Sequence, residues 1–329
     1  MGRALVVDRF VGEHFFLSNF HVGPVAMDGG TYRSGEHAFN AGKTTDPTES
    51  AWVADADTAG EAKRRGRRVT LRPGWDAAIR FDVMRSVVAA KFSTEPMRSA
   101  LLATGDALLV EGTTWHDQVW GDCTCPKHRA WPGANHLGQM LMAERAALRS
   151  DPPDRWVRVA VTGHRSLSVD ECEFAKQELT RLATKLRDEH GTTTAISGMA
   201  VGADTLWADA ALQAGLQLWA YIPFPQQEAD RRWTHEDRAH WAHLRSRAER
   251  EVMLGKNYDV RLLHARNDIM LRDSDLLVAV CDPRRTTGGT AATLDKARLA
   301  GKPIVIVDVS RRRTTHKRGS CTAIHRPVE

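Results

Sequence analysis

A glutamate and a lysine in the first half of the chain have the spacing of a catalytic pair on one helix. Ser34 favours a helix start, because a serine side chain can cap a first turn. Glu36, Asn40 and Lys43 then share one helical face, since residues three and four apart are neighbours on a helix. A carboxylate and an amine two turns apart can act on one substrate, but a solvated Glu and Lys on a surface helix show the same spacing. Spacing alone leaves both interpretations open.

A second cluster of reactive residue types follows in the stretch Cys123-Thr124-Cys125-Pro126-Lys127-His128. Cys123, Cys125 and His128 are zinc-ligand types, but their spacing is not a common zinc motif and no second cysteine pair lies nearby to complete a tetrahedral site. The sequence therefore predicts no metal here, with zinc kept as the alternative. The five cysteines are odd in number and scattered, which indicates reduced thiols rather than a disulfide framework.

Glycines in the second half of the chain follow apolar runs, as phosphate-binding turns do. Thr162-Gly163-His164-Arg165 comes directly after one such run, and a glycine there lets a phosphate approach a helix start. Ser197-Gly198 with Asp204, and Gly288-Gly289-Thr290, follow later runs. Each of these glycines alone is equally typical of a simple turn, so a purely structural role for this half stays open.

The elements that would position these second-half residues alternate between buried strands and amphipathic helices. This alternation predicts βαβ units, hence an α/β Rossmann-like domain with a mostly parallel sheet and ligands at the carboxyl ends of its strands. The predicted strands are Val157–Val161, Thr194–Ile196, Leu218–Ile222, Leu276–Val280 and Pro303–Val307.

The first half is less regular and predicts a helix-rich α+β domain. Short strands lie near its start, and helical patterns cover residues 35–44, 49–58, 76–92, 95–104 and 136–149. The paired prolines Pro152 and Pro153 then indicate a linker. We therefore predict domains over residues 1–150 and 156–309, as expected for a chain of 329 residues.

Charge and hydropathy set limits on the partners of the protein. The chain has no apolar run of about 18 residues and no signal-peptide pattern at its start, so we expect a cytoplasmic protein that does not span a membrane. The net charge of +5 is carried by residues 310–329, a segment predicted to be a disordered basic tail. Such a tail could attract DNA or RNA. The oligomeric state is not fixed by the sequence, and a homo-oligomer is compatible with it.

The first half resembles the NADAR (YbiA-like) family of N-glycosidases. Six motifs occur in the order of the family pattern over about 135 residues, a combination far more specific than any one of them. They are Leu17-Ser18-Asn19-Phe20, Tyr32-Arg33-Ser34-Gly35-Glu36-His37-Ala38-Phe39 with Lys43, Ala90-Lys91-Phe92, Gly105-Asp106-Ala107-Leu108-Leu109-Val110-Glu111, Asp117-Gln118-Val119-Trp120-Gly121, and Asn135-His136-Leu137-Gly138-Gln139-Met140-Leu141-Met142 with Arg145.

This resemblance implies cleavage of an N-glycosidic bond at the anomeric carbon of a ribose. Departure of the base leaves oxocarbenium-like charge on the sugar, which a carboxylate from Glu36 or Glu111 can stabilise. A lysine amine with a lowered pKa can instead capture the sugar as a Schiff base. Lys43 is the predicted residue for that role, with Lys91 as the alternative.

The resemblance also implies a set of substrate-binding residues. Trp120 would stack on a flat base beside Asp117, although a core tryptophan is the competing interpretation. Ser18 and Asn19 would bind ribose or phosphate oxygens, unless they only satisfy their own backbone. The full predicted set is Ser18, Asn19, Phe20, Asn40, Asp117, Trp120, Gly121 and Asn135.

Residues 157–309 resemble the SLOG superfamily, the DprA/LOG group of Rossmann-like proteins, most closely its YspA/DUF1273-like branch. Enzymatic LOG members have a glutamate after their glycine-rich segment, but none occurs in Thr287-Gly288-Gly289-Thr290-Ala291-Ala292-Thr293-Leu294-Asp295. The resemblance thus implies ligand sensing rather than hydrolysis. The predicted nucleotide-binding residues are Gly163, Arg165, Ser197, Gly198, Asp204, Gly289 and Thr290.

Together these patterns predict a cofactor-independent N-glycosidase that acts on ADP-ribosylated guanine or an NAD-derived nucleotide and has a nucleotide-sensing second domain. One alternative is an N-glycosidase for intermediates of riboflavin biosynthesis. A second alternative is a sensor of nucleotides or ADP-ribose in a conflict or defence system, without turnover.

Overall fold

The computed structural model describes residues 5–227 and 233–317. The chain forms two compact units, which divide between residues 151 and 152, inside the predicted linker. The first unit holds residues up to 125 and 133–151, and the second holds the rest of the chain together with the short segment 126–132.

The first unit packs six short helices around small strand pairs. Its helices are α1 (Gly35–Ala41), α2 (Pro47–Ala54), α3 (Ala59–Arg65), α4 (Arg80–Phe92), α5 (Met97–Ala103) and α6 (His136–Arg149). Its strands are β1 (Val6–Val7), β2 (Val22–Met27), β3 (Gly30–Ser34), β4 (Leu108–Leu109), β5 (Gly112–Thr113) and β6 (Asp122–Cys123). Strand β1 pairs with β4, β2 with β3, and β5 with β6.

Local signals in the sequence define where α1 begins and what lies behind it. The Ser34 hydroxyl accepts a hydrogen bond from the His37 backbone N–H, which caps α1 at the predicted residue. Leu17, Phe92 and Leu109 are fully buried in the core of the first unit. The short helix α1 is therefore held by core packing rather than by its own seven residues.

The second unit is a sheet of seven strands with helices between them. Its helices are α7 (Val169–His190), α8 (Ala203–Gln213), α9 (His235–Ser246), α10 (Val260–Asp273) and α11 (Gly289–Leu299). Its strands are β7 (Arg158–Gly163), β8 (Thr194–Ser197), β9 (Gln217–Ile222), β10 (Arg250–Met253), β11 (Leu276–Cys281), β12 (Ile304–Asp308) and β13 (Arg313–Lys317).

The strand order creates a topological switch point in the middle of this sheet. The order is β10-β9-β8-β7-β11-β12-β13, and every pair is parallel except β12 with β13. The chain runs outward in one direction from β7 through β8, then returns to the other side of β7 at β11. A crevice opens at the carboxyl ends of β7 and β11, where such folds bind ligands. The predicted mostly parallel Rossmann-like sheet is confirmed.

Three elements differ from the sequence-based expectations. Helix α3 is absent from the predicted helices, because its seven residues include Gly60, are followed by Gly66 and show little periodicity. Strand β10 is only half-buried, so it lacks the apolar run that marked the other strands. The expectation of a disordered tail from residue 310 fails for Arg313–Lys317, which pairs antiparallel with β12. Residues 318–329 of that tail lie outside the described residues.

In the part of the chain that the structure describes, no helix combines the length and the apolar character needed to cross a membrane.

Candidate active site and nucleotide cleft

Helix α1 presents a buried carboxylate that a neighbouring amide orients. The Glu36 side chain is 7% exposed and its Oε1 accepts a hydrogen bond from Asn40 Nδ2 at 3.0 Å. Burial raises the pKa of Glu36, while the charges of Lys63, Lys43 and Arg67 and the bond from Asn40 act in the opposite direction. Helix α1 ends at Ala41, so Glu36 and Asn40 share its face as predicted, whereas Lys43 lies in the turn that follows the helix.

A second carboxyl group, Glu111, also has a raised pKa. Desolvation raises its pKa to about 8, and the negative charges of Asp117 and Glu36 raise it further, whereas Lys63 and Lys91 lower it. Two carboxylates that sense each other's charge favour a state in which one keeps its proton. Glu36 faces more cations than Glu111 does, so Glu111 is the partner that holds the proton.

Lys43 lies beside this pair with a depressed pKa. Burial lowers the pKa of its amine most, the charge of Glu36 opposes this effect, and Lys63 and Arg67 add to the lowering. Its ammonium lies 5.7 Å from the centroid of the Phe39 ring. A lysine in these surroundings is a better nucleophile at neutral pH than an exposed lysine is.

The structure adds two cations that the sequence analysis missed. Lys63 on α3 and Arg67 just after it exert their charges on Glu36 and Lys43, and Lys63 also acts on Glu111. The Lys63 ammonium lies 5.4 Å from the centroid of the Phe20 ring, which is 37% exposed. Neither residue belongs to the motifs quoted above, and no local spacing links α3 to α1.

Lys91 is more deeply buried than Lys43 but is held by the backbone. Its side chain is 4% exposed and its Nζ donates to the Ser18 carbonyl at 2.7 Å. Desolvation lowers its pKa to about 7, while Glu111 raises it. A lysine fixed in this way positions the loop that contains Ser18 and adds charge next to Glu111.

The predicted ribose-binding loop is largely satisfied by its own structure. The Ser18 hydroxyl accepts from the Phe20 N–H at 3.2 Å. The Asn19 amide donates to Met84 Sδ at 3.1 Å, and the Asn19 carbonyl accepts from the Glu36 N–H at 2.9 Å. Ser18 and Asn19 therefore fix the start of α1, and Phe20 is the member of this loop that offers an exposed surface.

The other predicted binding residues lie on the loop after β5. Asp117 Oδ1 accepts from the Val119 and Trp120 N–H groups, so it shapes this loop as an Asx turn does. Trp120 is partly buried and contacts the Phe39 ring edge-to-face at 5.4 Å. Trp120 thereby packs against α1, the helix that carries Phe39 and Glu36.

Two further predicted residues, Gly121 and Asn135, pack against the backbone of Glu111. A Cβ on Gly121 would lie 2.4 Å from the Glu111 carbonyl, so only glycine fits there. Asn135 is 1% exposed. Its Oδ1 accepts a hydrogen bond from the Glu111 N–H at 3.0 Å, and its Nδ2 donates to the Leu109 carbonyl at 2.9 Å. The structure thus places Asn135 behind Glu111, as a support for that residue.

Among the described residues, one buried polar atom next to Glu36 has no hydrogen-bond partner. Asn40 Oδ1 makes no hydrogen bond within residues 5–227 and 233–317, although its Nδ2 is occupied by Glu36. An orphaned buried acceptor costs about 1–3 kcal/mol unless a ligand or water supplies a donor. Asn40 is therefore suited to accept a hydrogen bond from a substrate.

The second unit has a cleft of about 240 Å³ at its topological switch point. Five of the seven predicted nucleotide-binding residues line it: Gly163, Arg165, Asp204, Gly289 and Thr290. A Cβ on Gly163 would lie 2.3 Å from the Ala203 Cβ, which explains the glycine at the end of β7. The Thr290 hydroxyl donates to the Gly163 carbonyl at 2.9 Å and so ties α11 to that strand.

The remaining two predicted residues support the cleft without lining it. The Ser197 hydroxyl donates to the Asp204 carbonyl at 2.8 Å, and the Gly198 carbonyl accepts from Arg266. Arg266, which the sequence analysis missed, is 4% exposed and its Nη1 lies 3.3 Å from Asp204 Oδ2. Burial raises the pKa of Asp204, and the charge of Arg266 opposes this rise.

Backbone donors also face this cleft. Gly288, whose φ of 95° is typical of glycine, immediately precedes α11, and the first turn of this helix has no side-chain cap among the described residues. The uncapped N–H groups of a helix start, together with Arg165, form the surroundings that phosphate oxygens prefer. The cleft is therefore equipped to bind an anion.

The loop around β6 gathers the potential metal ligands of the first half. The side chains of His116, Cys123, Cys125 and His128 offer ligand atoms that all lie within 4.8 Å of one another. His116 is the addition to the three residues noticed in the sequence, and its Nδ1 lies 3.3 Å from Cys125 Sγ.

The chain thus has two units, one with two buried carboxyl groups beside lysines and the other with a Rossmann-like sheet and a cleft at its switch point. Residues 9–149 match the NADAR domain, and residues 152–326 match DNA recombination-mediator protein A. The chain belongs to the NADAR family through its first unit and to the DNA recombination-mediator protein A family through its second. Both predicted resemblances are confirmed.

Known proteins similar to the chain cover one unit or the other. N-glycosidase YbiA of Escherichia coli is 37% identical over 135 residues, 40% of this chain and 80% of that protein. Riboflavin biosynthesis protein PYRR of Zea mays is 29% identical over 142 residues, 43% of this chain and 20% of that protein. DNA processing protein A from Helicobacter pylori, a single-stranded DNA binder, has a solved structure with a TM-score of 0.35 and 18% identity, covering 47% of this chain and 66% of that one.

The relatives of the first unit settle its class of activity. The protein is an N-glycosidase, as predicted. The individual residue roles stay predictions that the geometry above refines.

Proposed function

We propose that the first unit cleaves the bond between a base and the anomeric carbon of a phosphate-bearing ribose, in ADP-ribosylated guanine or an NAD-derived nucleotide. The observation that carries this proposal is the coupled carboxyl pair. Glu111 has a pKa of about 8, and the charge of Glu36 is among the causes. One site then contains both an acid for the leaving base and an anion for the sugar.

The reaction begins with protonation of the base. Glu111 donates its proton to a ring nitrogen or carbonyl oxygen of the base, and the C1′–N bond breaks with its electron pair going to the base. The ionised Glu36 stabilises the positive charge that develops on C1′ and the ring oxygen. Its hydrogen bond from Asn40 keeps the carboxylate oriented while this happens.

The second stage adds a nucleophile to C1′. The neutral amine of Lys43 attacks C1′, a Schiff base forms as the ring opens, and water then hydrolyses it to release the sugar and restore the amine. The proton that water loses goes to the Glu111 carboxylate, which prepares it for the next turnover. The pKa of Lys43 is lowered by burial, which favours the neutral amine that this step requires.

The cations around the pair support a substrate with phosphates. Lys63 and Arg67 both act on Glu36 with their charges, and Lys63 is half-buried while Arg67 is exposed. Phosphate oxygens are the common partners of such clusters. The exposed ring of Phe20 beside Lys63 offers a flat surface for a base or nicotinamide ring.

A second candidate substrate is an intermediate of riboflavin biosynthesis. The observation in its favour is the likeness of the first unit to the maize riboflavin biosynthesis protein. Such an intermediate also joins a ribose phosphate to a base, so the same pair of carboxyl groups would serve its cleavage. The two candidate substrates differ in the size of the base and in the number of phosphates. Measured turnover of each substrate is therefore needed to choose between them.

For the second unit we infer binding of a nucleotide or ADP-ribose-like ligand without hydrolysis. Its phosphate would lie at the start of α11 beside Arg165, where the N–H groups of Gly289 and Thr290 converge. The absence of a glutamate in the α11 segment supports sensing. Single-stranded DNA, the ligand of the Helicobacter relative, offers the same phosphate chemistry and is the alternative ligand.

The test measures base release by chromatography from three substrates: an oligonucleotide with ADP-ribosylated guanine, NAD, and a phosphoribosylated pyrimidine of the riboflavin pathway. The full chain is compared with Glu111→Gln, Glu36→Gln and Lys43→Ala. Glu144→Gln is the matched control, because Glu144 also has a pKa raised by burial, with no charged group of the site among the causes.

Release from the first or second substrate, lost in the three variants and kept in the control, is the expected result. Borohydride should trap a sugar on the wild-type protein and not on Lys43→Ala. Turnover of the pyrimidine alone would select the riboflavin candidate. Normal turnover in Glu111→Gln and Glu36→Gln would refute the acid-pair mechanism.

A further inference from the structure

Four side chains around β6, one of them in the loop that carries Asp117 and Trp120, converge without any role in the proposed reaction. They are His116, Cys123, Cys125 and His128, with both sulfurs buried and both imidazoles nearer to solvent. We propose that these four residues bind one Zn²⁺ ion as a Cys₂His₂ site that fixes this loop.

The spacing of the ligand atoms fits tetrahedral coordination. Bonds of about 2.3 Å to sulfur and about 2.0 Å to nitrogen place neighbouring ligand atoms about 3.3–3.8 Å apart. His116 Nδ1 and Cys125 Sγ are already 3.3 Å apart, and none of the four atoms is more than 4.8 Å from another. Shifts of roughly 1 Å or less in side-chain position would complete the tetrahedron, which ordinary rotamer adjustments supply.

The backbone around the sulfurs is arranged for thiolates. The His116 N–H donates to Cys123 Sγ at 3.3 Å, a bond that stabilises a negatively charged sulfur. Cys123 is fixed in β6, whose pairing with β5 sets Cys123 opposite Thr113. Neither cysteine is in a disulfide among the described residues.

The residue types select the metal. Two thiolates with two imidazoles in a tetrahedron suit zinc, whereas calcium and magnesium prefer oxygen ligands. A site with four protein ligands has no open position, so the ion would be structural rather than catalytic. The two thiolates balance the charge of the Zn²⁺ ion.

The site gives the loop a fixed geometry that its sequence alone does not provide. His116 has a φ of 70°, a left-handed conformation that is uncommon for residues other than glycine. Its neighbour Asp117 then forms the turn that holds Trp120 against Phe39. A metal bond to His116 would offset the cost of that conformation. It would thereby also help to hold Trp120 against Phe39.

The first measurement is the zinc content of the full chain, purified without added metal and after dialysis against zinc alone. One equivalent per chain is expected, released by a thiol-reactive agent or a strong chelator. Replacement by Co²⁺ should give a thiolate-to-cobalt charge-transfer band and the strong visible bands of a tetrahedral site. An octahedral or sulfur-free cobalt spectrum would overturn the proposal, as would zinc content below one half equivalent after reconstitution.

Variants then locate the ion. Cys123→Ser and Cys125→Ser should each lower zinc affinity by more than the roughly 10- to 100-fold that loss of an outer-shell partner costs. His116→Ala removes an exposed ligand and leaves the buried sulfurs in place, so it tests the site even where a cysteine variant does not fold. Cys172→Ser, at the start of α7, is the control and should keep full zinc content. Equal zinc content in His116→Ala, both cysteine variants and the control would place the metal elsewhere and refute the assignment.

Discussion

The two units handle buried charge in opposite ways. In the first, Glu111 and Lys91 have pKa values near neutrality, about 8 and about 7, because burial outweighs the attraction between opposite charges. In the second, Asp204 is paired directly with Arg266 at 3.3 Å, and the start of α11 lines the cleft together with Arg165. Groups that gain and lose protons near pH 7 suit catalysis, whereas a fixed ion pair with backbone donors suits binding.

This contrast separates an acid–base centre from a recognition site within one chain. Substitution of a titrating carboxyl group should impair turnover and improve stability, because its burial was costly. Substitution of a paired group should impair stability and binding and leave turnover alone. The four predictions below test whether the two units respond in these different ways.

The largest effect is expected for Glu111→Gln. Loss of the general acid should lower kcat/KM by about 10²- to 10⁴-fold. Because the folded pKa of Glu111 is raised from 4.5 to about 8, the native state loses stability as pH rises through that window. The variant should therefore be more stable than wild type at pH 8, by up to about 4 kcal/mol. Denaturant unfolding at pH 5 and pH 8 checks the sign, and a variant less stable at pH 8 would contradict it.

The second effect belongs to the other unit. Arg266→Ala leaves Asp204 buried without its partner, so a loss of about 3 kcal/mol in unfolding free energy is expected. Titration with ADP-ribose should show weaker binding, while base release by the first unit stays at the wild-type rate. Lys296→Ala breaks an exposed pair with Asp268 and is the control, with at most about 1 kcal/mol lost. Equal losses of unfolding free energy in Arg266→Ala and Lys296→Ala would show that the buried pair contributes no more than an exposed one.

The third effect is a pH dependence of turnover. Glu111 acts as an acid only while protonated, so kcat/KM should fall about tenfold per pH unit above about pH 8. A pH–rate profile from pH 6 to pH 10 measures this. Glu111→Gln should lack that limb, and a profile with the same limb in the variant would assign the pKa to another group.

The smallest effect is expected for Lys63→Ala. Lys63 lowers the pKa of both Glu36 and Glu111, so its removal should raise both values and shift the descending limb to higher pH. We expect a severalfold increase in KM, since an exposed or partly exposed charge contributes roughly 0.2–1 kcal/mol. Lys185→Ala, on the exposed face of α7, should change neither quantity. A limb shifted to lower pH would exclude Lys63 as a neighbour of the acid.

Much of the first site could be predicted because its signals are local. Ser34, Glu36 and Asn40 follow from helical spacing, and the structure shows the predicted cap and a hydrogen bond between the last two. Lys63 could not be found in this way, because its relation to Glu36 depends on how α3 packs against α1. Burial sets the pKa of Glu111, and no local pattern reveals burial of a single carboxyl group.

The second unit shows the same division. Its strands were predicted from apolar runs, and Gly163, Gly289 and Thr290 line the cleft as expected. Arg266 was missed because an arginine on an amphipathic helix is normally solvated. Ser197 and Gly198 follow a strand as predicted, yet their polar groups bind Asp204 and Arg266 from behind the cleft.

Strand β13 changes where the second unit can be cut. It covers the edge of β12, a strand whose five residues are all buried. A fragment that ends at residue 309, as the sequence pattern suggests, would leave the N–H and C=O groups of Ile304–Asp308 open to pair with another molecule. The basic residues of β13 discourage such pairing in the full chain, since a row of charges at a sheet edge resists stacking. Strand β13, which the sequence pattern assigned to a disordered tail, is thus expected to protect the sheet from self-association.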